Sequence, residues 1–214
     1  MASTKVDICA RALIMIGAQP ISSFSDGSTE ALVASNIYEN IVESTLSRHR
    51  WTFATEQQQL SLLTATPTGR YEYAYQLPTS PDLLQLNTLT VADVPIQYAR
   101  YGDKIFLNGY GSSTAVIADY VFRQDESQFP AYFQLCLEYQ LASIFAGSVA
   151  RDAAMIKQFS DLAERQILIS KNIETVTDNL DFISDHDDRG SSLLTAGLDS
   201  QTLADLNERR RQLR

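Results

Sequence analysis

Apolar residues recur at helical spacing in the first stretch of the chain, residues 4–17. This periodicity predicts a helix with one buried face. Thr4 followed by Asp7 has the pattern of a capping box, and Gly17 suits the position just after a helix C-terminus. The residues expected on the buried face are Val6, Cys9, Ala10, Leu13 and Ile14.

A second helix is expected over residues 29–49. Ser28 would be its N-cap, and Glu30 would lie in the first turn, where a negative charge is favourable. The apolar positions of this helix are Ala34, Tyr38, Ile41, Val42 and Leu46.

Residues 52–123 have a different pattern, in which short runs rich in Thr, Tyr, Val and Ile are separated by turn residues. The run YEYAYQL alternates with a period of two, which is typical of a strand. Gly102-Asp103 predicts a hairpin turn. Because the connections are too short for crossover helices, we expect one antiparallel sheet of four to six strands.

Helical periodicity returns at Pro130, a residue suited to the first helical position. The helix that follows is apolar around most of its circumference and should be the most buried, ending at Gly147. Asp152 would cap a fourth helix over residues 152–176. Its inward residues would be Ile156, Phe159, Leu162, Ala163, Ile167, Ile169 and Ile173.

The C-terminal stretch is first acidic and then rich in leucine and arginine. Residues 174–188 hold six acids and no Lys or Arg, without the spacing of a calcium-binding loop, so we interpret them as a solvated linker. The closing run ERRRQLR is either a solvated helix end or an arginine-rich docking tip, and the leucines beside it favour a protein groove. The residues of this docking tail are Leu193, Leu194, Leu198, Leu203, Leu206, Arg209, Arg210, Arg211, Leu213 and Arg214.

Together these patterns predict an α+β protein. A four-helix bundle (1–51 and 124–176) would carry an inserted antiparallel β-region (52–123), and an extended C-terminal tail (177–214) would order only against a partner.

The composition restricts the classes of function that this chain can have. A net charge of −9 and a pI near 4.7 argue against binding of nucleic acid through its phosphates. Cys9 and Cys136 lie in apolar runs and are interpreted as core residues. Neither a secretion signal nor a membrane span is apparent.

The segment SRHRWTFA contains the only Trp of the chain, Trp51, beside three basic residues. One interpretation is a structural junction, with Trp51 and Phe53 covering one end of the helical core. Arg48, His49 and Arg50 would then lie in the last helical turn, where cations are favoured. The alternative is stacking of Trp51 on a nucleic-acid base.

No motif for an enzyme, cofactor or metal is present: there is no nucleophile elbow, P-loop, dinucleotide fingerprint or Cys/His metal spacing. Ser-His-Asp catalysis would require His49 or His186 beside a nucleophile, and the sequence shows no motif that supplies one. Glu138 and Glu164 could form a carboxylate pair for glycoside hydrolysis, although a salt bridge is the more ordinary role for such residues.

The succession of these motifs resembles the tail tubular protein A family, the head-to-tail adaptors of short-tailed bacteriophages. The resemblance rests on ALIMIGAQPI (12–21), the turn at Asp26-Gly27, SRHRWTFA (47–54), YAYQLP (73–78) and a helix resuming near FPAYFQLCLEYQLA. It extends over residues 5–175, and its individual motifs are structural.

The resemblance implies a non-enzymatic virion protein, made in the host cytoplasm, of which twelve copies form a ring beneath the portal protein. The ring would lengthen the DNA channel, through which genomic DNA passes without sequence-specific binding, and would present a platform to the next tail tube or nozzle protein. The C-terminal tail would lie against the portal. Some members of the family have been discussed as cell-wall hydrolases, so a peptidoglycan hydrolase is the alternative.

Overall fold

The computed structural model of the chain describes residues 3–111 and 114–193, with side chains described as far as Thr175. Over these residues the fold is α+β, with four α-helices and two antiparallel sheets. The helices are α1 (Lys5–Met15), α2 (Thr29–Leu46), α3 (Ala131–Phe145) and α4 (Ala153–Leu193). The strands are β1 (Thr55–Gln59), β2 (Ser61–Leu62), β3 (Tyr73–Gln76), β4 (Leu83–Val91), β5 (Val94–Pro95), β6 (Ala99–Tyr101), β7 (Lys104–Leu107) and β8 (Ile117–Phe122).

The capping box predicted for α1 is confirmed. The Thr4 hydroxyl accepts a hydrogen bond from the Asp7 amide at 3.2 Å, and the Asp7 carboxylate accepts one from the Thr4 amide at 2.9 Å. Gly17 follows the helix with φ +75°, a conformation that glycine adopts without strain. The Gly17 amide donates to the carbonyl of Ile14 at 3.0 Å, which satisfies one of the last carbonyls of the helix.

The N-caps of α2 and α4 are confirmed as well. The Ser28 hydroxyl accepts from the Ala31 amide at 3.1 Å. The Asp152 carboxylate accepts from the amides of Ala154 and Met155 at 2.8 and 3.1 Å. Short-range hydrogen bonding therefore determines where these helices begin.

Three helix ends differ from the predictions. α2 ends at Leu46 and not at residue 49. α3 does not end at Gly147, because a π-helical turn, Ala146–Ala150, continues it as far as Arg151, which has φ +55°. α4 continues beyond residue 176 to Leu193, so the backbone of the acidic segment 174–188 is helical, and the linker interpretation is wrong in this respect.

Several predicted inward residues lie at the surface. In α1 the buried residues are Ile8, Cys9, Ala12 and Leu13, whereas Ile14 is 59% exposed. In α4, Ala163 and Ile167 are buried, but Ile156, Ile169 and Ile173 are exposed.

The β-region forms two four-stranded sheets instead of the single sheet that we predicted. Their strand orders are β1-β8-β4-β5 and β2-β3-β7-β6. The Gly102-Asp103 hairpin is confirmed, because it joins β6 to β7 with Tyr101 opposite Lys104 and Gly102 at φ +62°. The strands that begin and end the region, β1 and β8, pair with each other from Thr55↔Val121 to Gln59↔Ile117.

The alternation of β8 divides the interior into two cores. Ala118 and Tyr120 face the β core, which also contains Tyr75 and Ile105 from the second sheet. Val121 points the opposite way, into the helical core formed chiefly by α1, α2 and α3. β8 thus has one face in each core.

The chain divides into two compact units, Met1–Lys171 and Asn172–Arg214. The first unit holds both sheets, α1 to α3 and the first half of α4. The described part of the second unit is the remainder of α4, to Leu193.

Candidate functional site at the junction of helices and sheets

Trp51 lies between the end of α2 and the first strand and has none of its surface exposed. Its indole nitrogen donates a hydrogen bond to the backbone carbonyl of Thr45 at 3.0 Å. The indole packs edge-on against Phe133 of α3, with ring centroids 5.1 Å apart. Stacking on a nucleic-acid base needs an exposed ring face, and Trp51 does not offer one.

Phe53 extends the aromatic packing toward the start of α3. Its ring centroid lies 5.0 Å from that of Phe133 and 6.0 Å from that of Phe129. Phe129 and Phe133 are themselves 4.9 Å apart in an edge-to-face arrangement. These contacts join the chain entering the β-region to the chain leaving it, since Phe53 precedes β1 and Phe129 follows β8.

The basic residues beside Trp51 do not lie in the last turn of α2, as we predicted, because that helix ends at Leu46. Arg48 instead forms an ion pair with Glu164 of α4, at 2.9 Å. Arg50 forms an ion pair with Asp119 of β8, at 2.8 Å. The ring of His49 lies nearly perpendicular to the indole of Trp51, at 5.1 Å between centroids.

The Asp119 carboxylate is nearly buried on the central strand β8. One oxygen binds Arg50, and the other, Oδ1, has no hydrogen-bond partner within the described part of the chain. A buried carboxylate with a single cationic partner depends strongly on that partner.

An ion-pair network that the sequence did not predict holds α2 to the segment after β8. Arg123 pairs with Glu39 of α2 and with the buried Glu126, and its guanidinium lies 5.6 Å from the ring centroid of Phe129. The hydrogen bond from Arg123 lowers the pKa of Glu39. The Tyr38 hydroxyl donates a hydrogen bond to Glu126 at 3.2 Å. The pKa of Tyr38 is raised, chiefly because the phenol is buried.

The two carboxylates considered for hydrolysis have separate arginine partners. Glu138 is buried on α3 and pairs with Arg11 of α1. Glu164 is exposed on α4 and pairs with Arg48. Each carboxylate therefore has the salt-bridge role that is the ordinary alternative to catalysis.

Among the described side chains, residues 3–111 and 114–175, no group of three or more His, Cys, Asp or Glu could hold a metal ion. None of the helices described there is both long enough and apolar enough to cross a membrane. Cys9 and Cys136 are buried free thiols, as predicted, and burial raises the pKa of Cys9 to about 12.

The predicted docking tail lies almost wholly outside the described residues. Leu193 is the last residue of α4, and the positions from Leu194 to Arg214 are not described.

Comparison with protein-family models and with curated proteins gives no match for this chain.

Proposed function

We propose that this protein is a head-to-tail adaptor of a short-tailed bacteriophage, which forms a ring of twelve copies beneath the portal. The observation that carries the proposal is the order of its parts. A helix pair, a β-region and a second helix pair follow each other with SRHRWTFA at the junction, in the order expected from the family resemblance.

The packing of the first unit supports a helical bundle as the frame of the ring subunit. α1 and α2 both contact α3. The first half of α4 also contacts α3, where Tyr139 lies 6.4 Å from Phe159 between ring centroids and Cys136 Sγ lies 3.2 Å from Ser170 Oγ. We infer that α1, α2, α3 and the first half of α4 form one bundle in the assembled particle.

Exposed apolar side chains on the helices support assembly with further copies. Ile14 on α1, Leu32 on α2 and Leu168 on α4 are each about 60% exposed. A ring requires two different surfaces on each subunit, because neighbours meet head to tail. Apolar residues on several helices could supply both surfaces.

The charge of the chain supports passage of DNA without binding. The net charge is −9, and four arginines, Arg11, Arg48, Arg50 and Arg123, are paired with carboxylates. Repeating this net negative charge around a ring repels phosphate and so disfavours retention of DNA. The leucines and arginines after residue 193 would bind the portal, and the opposite end of the ring would receive the next tail component. In this proposal the protein is not an enzyme and binds no cofactor.

The proposal can be tested with the full chain and the portal ring encoded in the same genome. Native mass spectrometry and electron microscopy should show a ring of many copies on the portal. Replacing Leu203 and Leu206 by serine should abolish portal binding, whereas the control Val94→Ser, at an exposed strand position, should not. If the protein remains monomeric with portal, or if both variants bind portal like the original, the proposal is wrong.

A further inference from the structure

The outer face of the second sheet carries an open groove of about 490 Å³. Its floor includes Ala74 of β3 and Phe106 of β7, which lie opposite each other in the sheet. The segment 63–71, between β2 and β3, forms its other side. None of the residues that line the groove belongs to the Trp51 junction.

The charges of this groove are unusual for so acidic a chain. Among the described residues that line it are two cations, Arg70 and Lys104, and no carboxylate. Both side chains are exposed, so they are available to a ligand. A chain of net charge −9 thus presents a locally cationic surface here.

Arg70 is held in place before any ligand binds. Its guanidinium lies 5.3 Å from the ring centroid of Tyr71 and donates a hydrogen bond to the Tyr101 hydroxyl at 3.3 Å. Tyr71 and Tyr101 in turn pack on Phe106, with ring centroids 5.8 and 5.6 Å apart. A guanidinium positioned in this way loses little side-chain entropy when it binds an anion.

The chemistry of the lining selects the kind of ligand. Arg and Lys side chains only donate hydrogen bonds, so the ligand must offer an acceptor, and a charged one gains most. The apolar floor requires an apolar group beside that anion, because covering Phe106 with a polar ligand would gain nothing from burial. A sugar would need acceptors for its hydroxyls, which a cationic lining supplies poorly.

We propose that this groove binds an extended peptide segment of a partner protein, one that carries an aspartate or glutamate next to an apolar side chain. The carboxylate pairs with Arg70 and Lys104, and the apolar side chain packs on Phe106 and Ala74. A volume of about 490 Å³ accommodates a few residues of such a segment and no larger element.

The experiment measures binding of fluorescein-labelled heptapeptides to the full chain by fluorescence polarisation. The panel has a central aspartate or glutamate flanked by leucine, phenylalanine or valine, with glycine and serine at the ends. Matched peptides replace the acid by its amide or the apolar neighbours by serine. We expect the acidic, apolar peptides to bind at least about tenfold more tightly than either control, because the amide peptides lose a charge-assisted pair and the serine peptides lose the apolar contact with Phe106.

Three variants locate the site. Arg70→Gln and Thr68→Glu, both at exposed positions of the lining, should weaken binding about tenfold or more. Arg100→Gln is the matched control, since Arg100 is an exposed arginine next to Tyr101 that does not line the groove, and its affinity should change less than twofold. Thermal unfolding of each variant verifies that it is folded.

The inference is overturned if no peptide of the panel binds below about 1 mM, or if the amide peptides bind as well as the acids. It is overturned in favour of nucleic acid if a decathymidylate binds more tightly than every peptide and loses its affinity in Arg70→Gln. None of these outcomes depends on ring formation or portal binding, so this inference and the proposed function can fail separately.

Discussion

Replacing Trp51 by alanine removes the largest side chain at the junction of the helical core and the β-region. Because the indole is fully buried, its loss forfeits the burial free energy of the ring and leaves a cavity against Phe133. It also leaves the Thr45 carbonyl without the indole N–H that it accepts at 3.0 Å. For large buried aromatics the sum of these effects is about 3–5 kcal/mol of unfolding free energy.

Trp51→Phe separates the two contributions. Phenylalanine retains a ring against Phe133 but cannot donate to Thr45, so we expect a smaller loss of about 1–3 kcal/mol. The matched control is Tyr98→Ala, an aromatic truncation at a partly exposed position, which should change stability by less than about 0.5 kcal/mol.

The assay is urea unfolding followed by circular dichroism, with the slope of the transition compared between variants. Trp51 is the only Trp, so the tryptophan fluorescence reports on this residue alone. Because the indole is fully buried, that fluorescence should be blue-shifted in the native protein and poorly quenched by acrylamide. A loss below about 1 kcal/mol for Trp51→Ala, with an unchanged slope, would refute the reasoning that this indole holds the junction together.

Four further predictions concern charges and thiols. Arg123→Met should cost about 3 kcal/mol in urea unfolding, because Glu126 would be left buried without its cation. The folded pKa of Glu39 is lowered, so its contribution to stability is complete above the unfolded value of about 4.5 and is lost as the pH falls through the folded value. Arg123→Met should weaken that acid dependence, and an unchanged stability profile between pH 3 and pH 5 would contradict the assignment. Arg50→Ala should cost about 1–3 kcal/mol by leaving Asp119 unpaired, and adding Asp119→Asn should restore part of it; equal stability of the single and double variants would exclude this coupling. Cys9 and Cys136 should resist a thiol reagent in the folded protein and both react in urea, since burial raises the pKa of each, and rapid reaction of either in buffer would show that it is accessible.

The features that sequence predicted best depend on neighbours a few residues away. The capping box of Thr4 and Asp7 and the Asp152 cap are made by side chains that bond to amides within the next turn. The hairpin at Gly102-Asp103 is of the same kind. Such local hydrogen bonds are encoded in a short window of residues, so a single sequence is sufficient to find them.

Features that depend on distant partners were not predictable in this way. Ile14 and Cys9 are equally plausible as inward residues of α1 until the position of α3 is known, and only Cys9 is buried. Arg50 could not be assigned to Asp119, because nothing in the segment SRHRWTFA indicates which strand passes beside it.

The same limit applies to the candidate sites. From its position on an apolar helix, Glu138 is a candidate catalytic acid. Its arginine partner, Arg11, lies 127 residues away in the chain, so the sequence around Glu138 does not indicate the ion pair. The groove beside Arg70 has no sequence motif, because its lining comes from three strands and from the segment between β2 and β3.

The pairing of β1 with β8 has a consequence for how this fold can vary. Paired residues of antiparallel strands are about 5 Å apart at their Cα atoms, so the chain leaves the helical part and returns to it at almost the same place. The ladder continues to the hydrogen bond from the Leu60 amide to the Val116 carbonyl, at 2.8 Å. The β1–β8 pair therefore sets the spacing between the ends of α2 and α3, and changes of length in the turns between Leu60 and Val116 can leave that spacing unchanged.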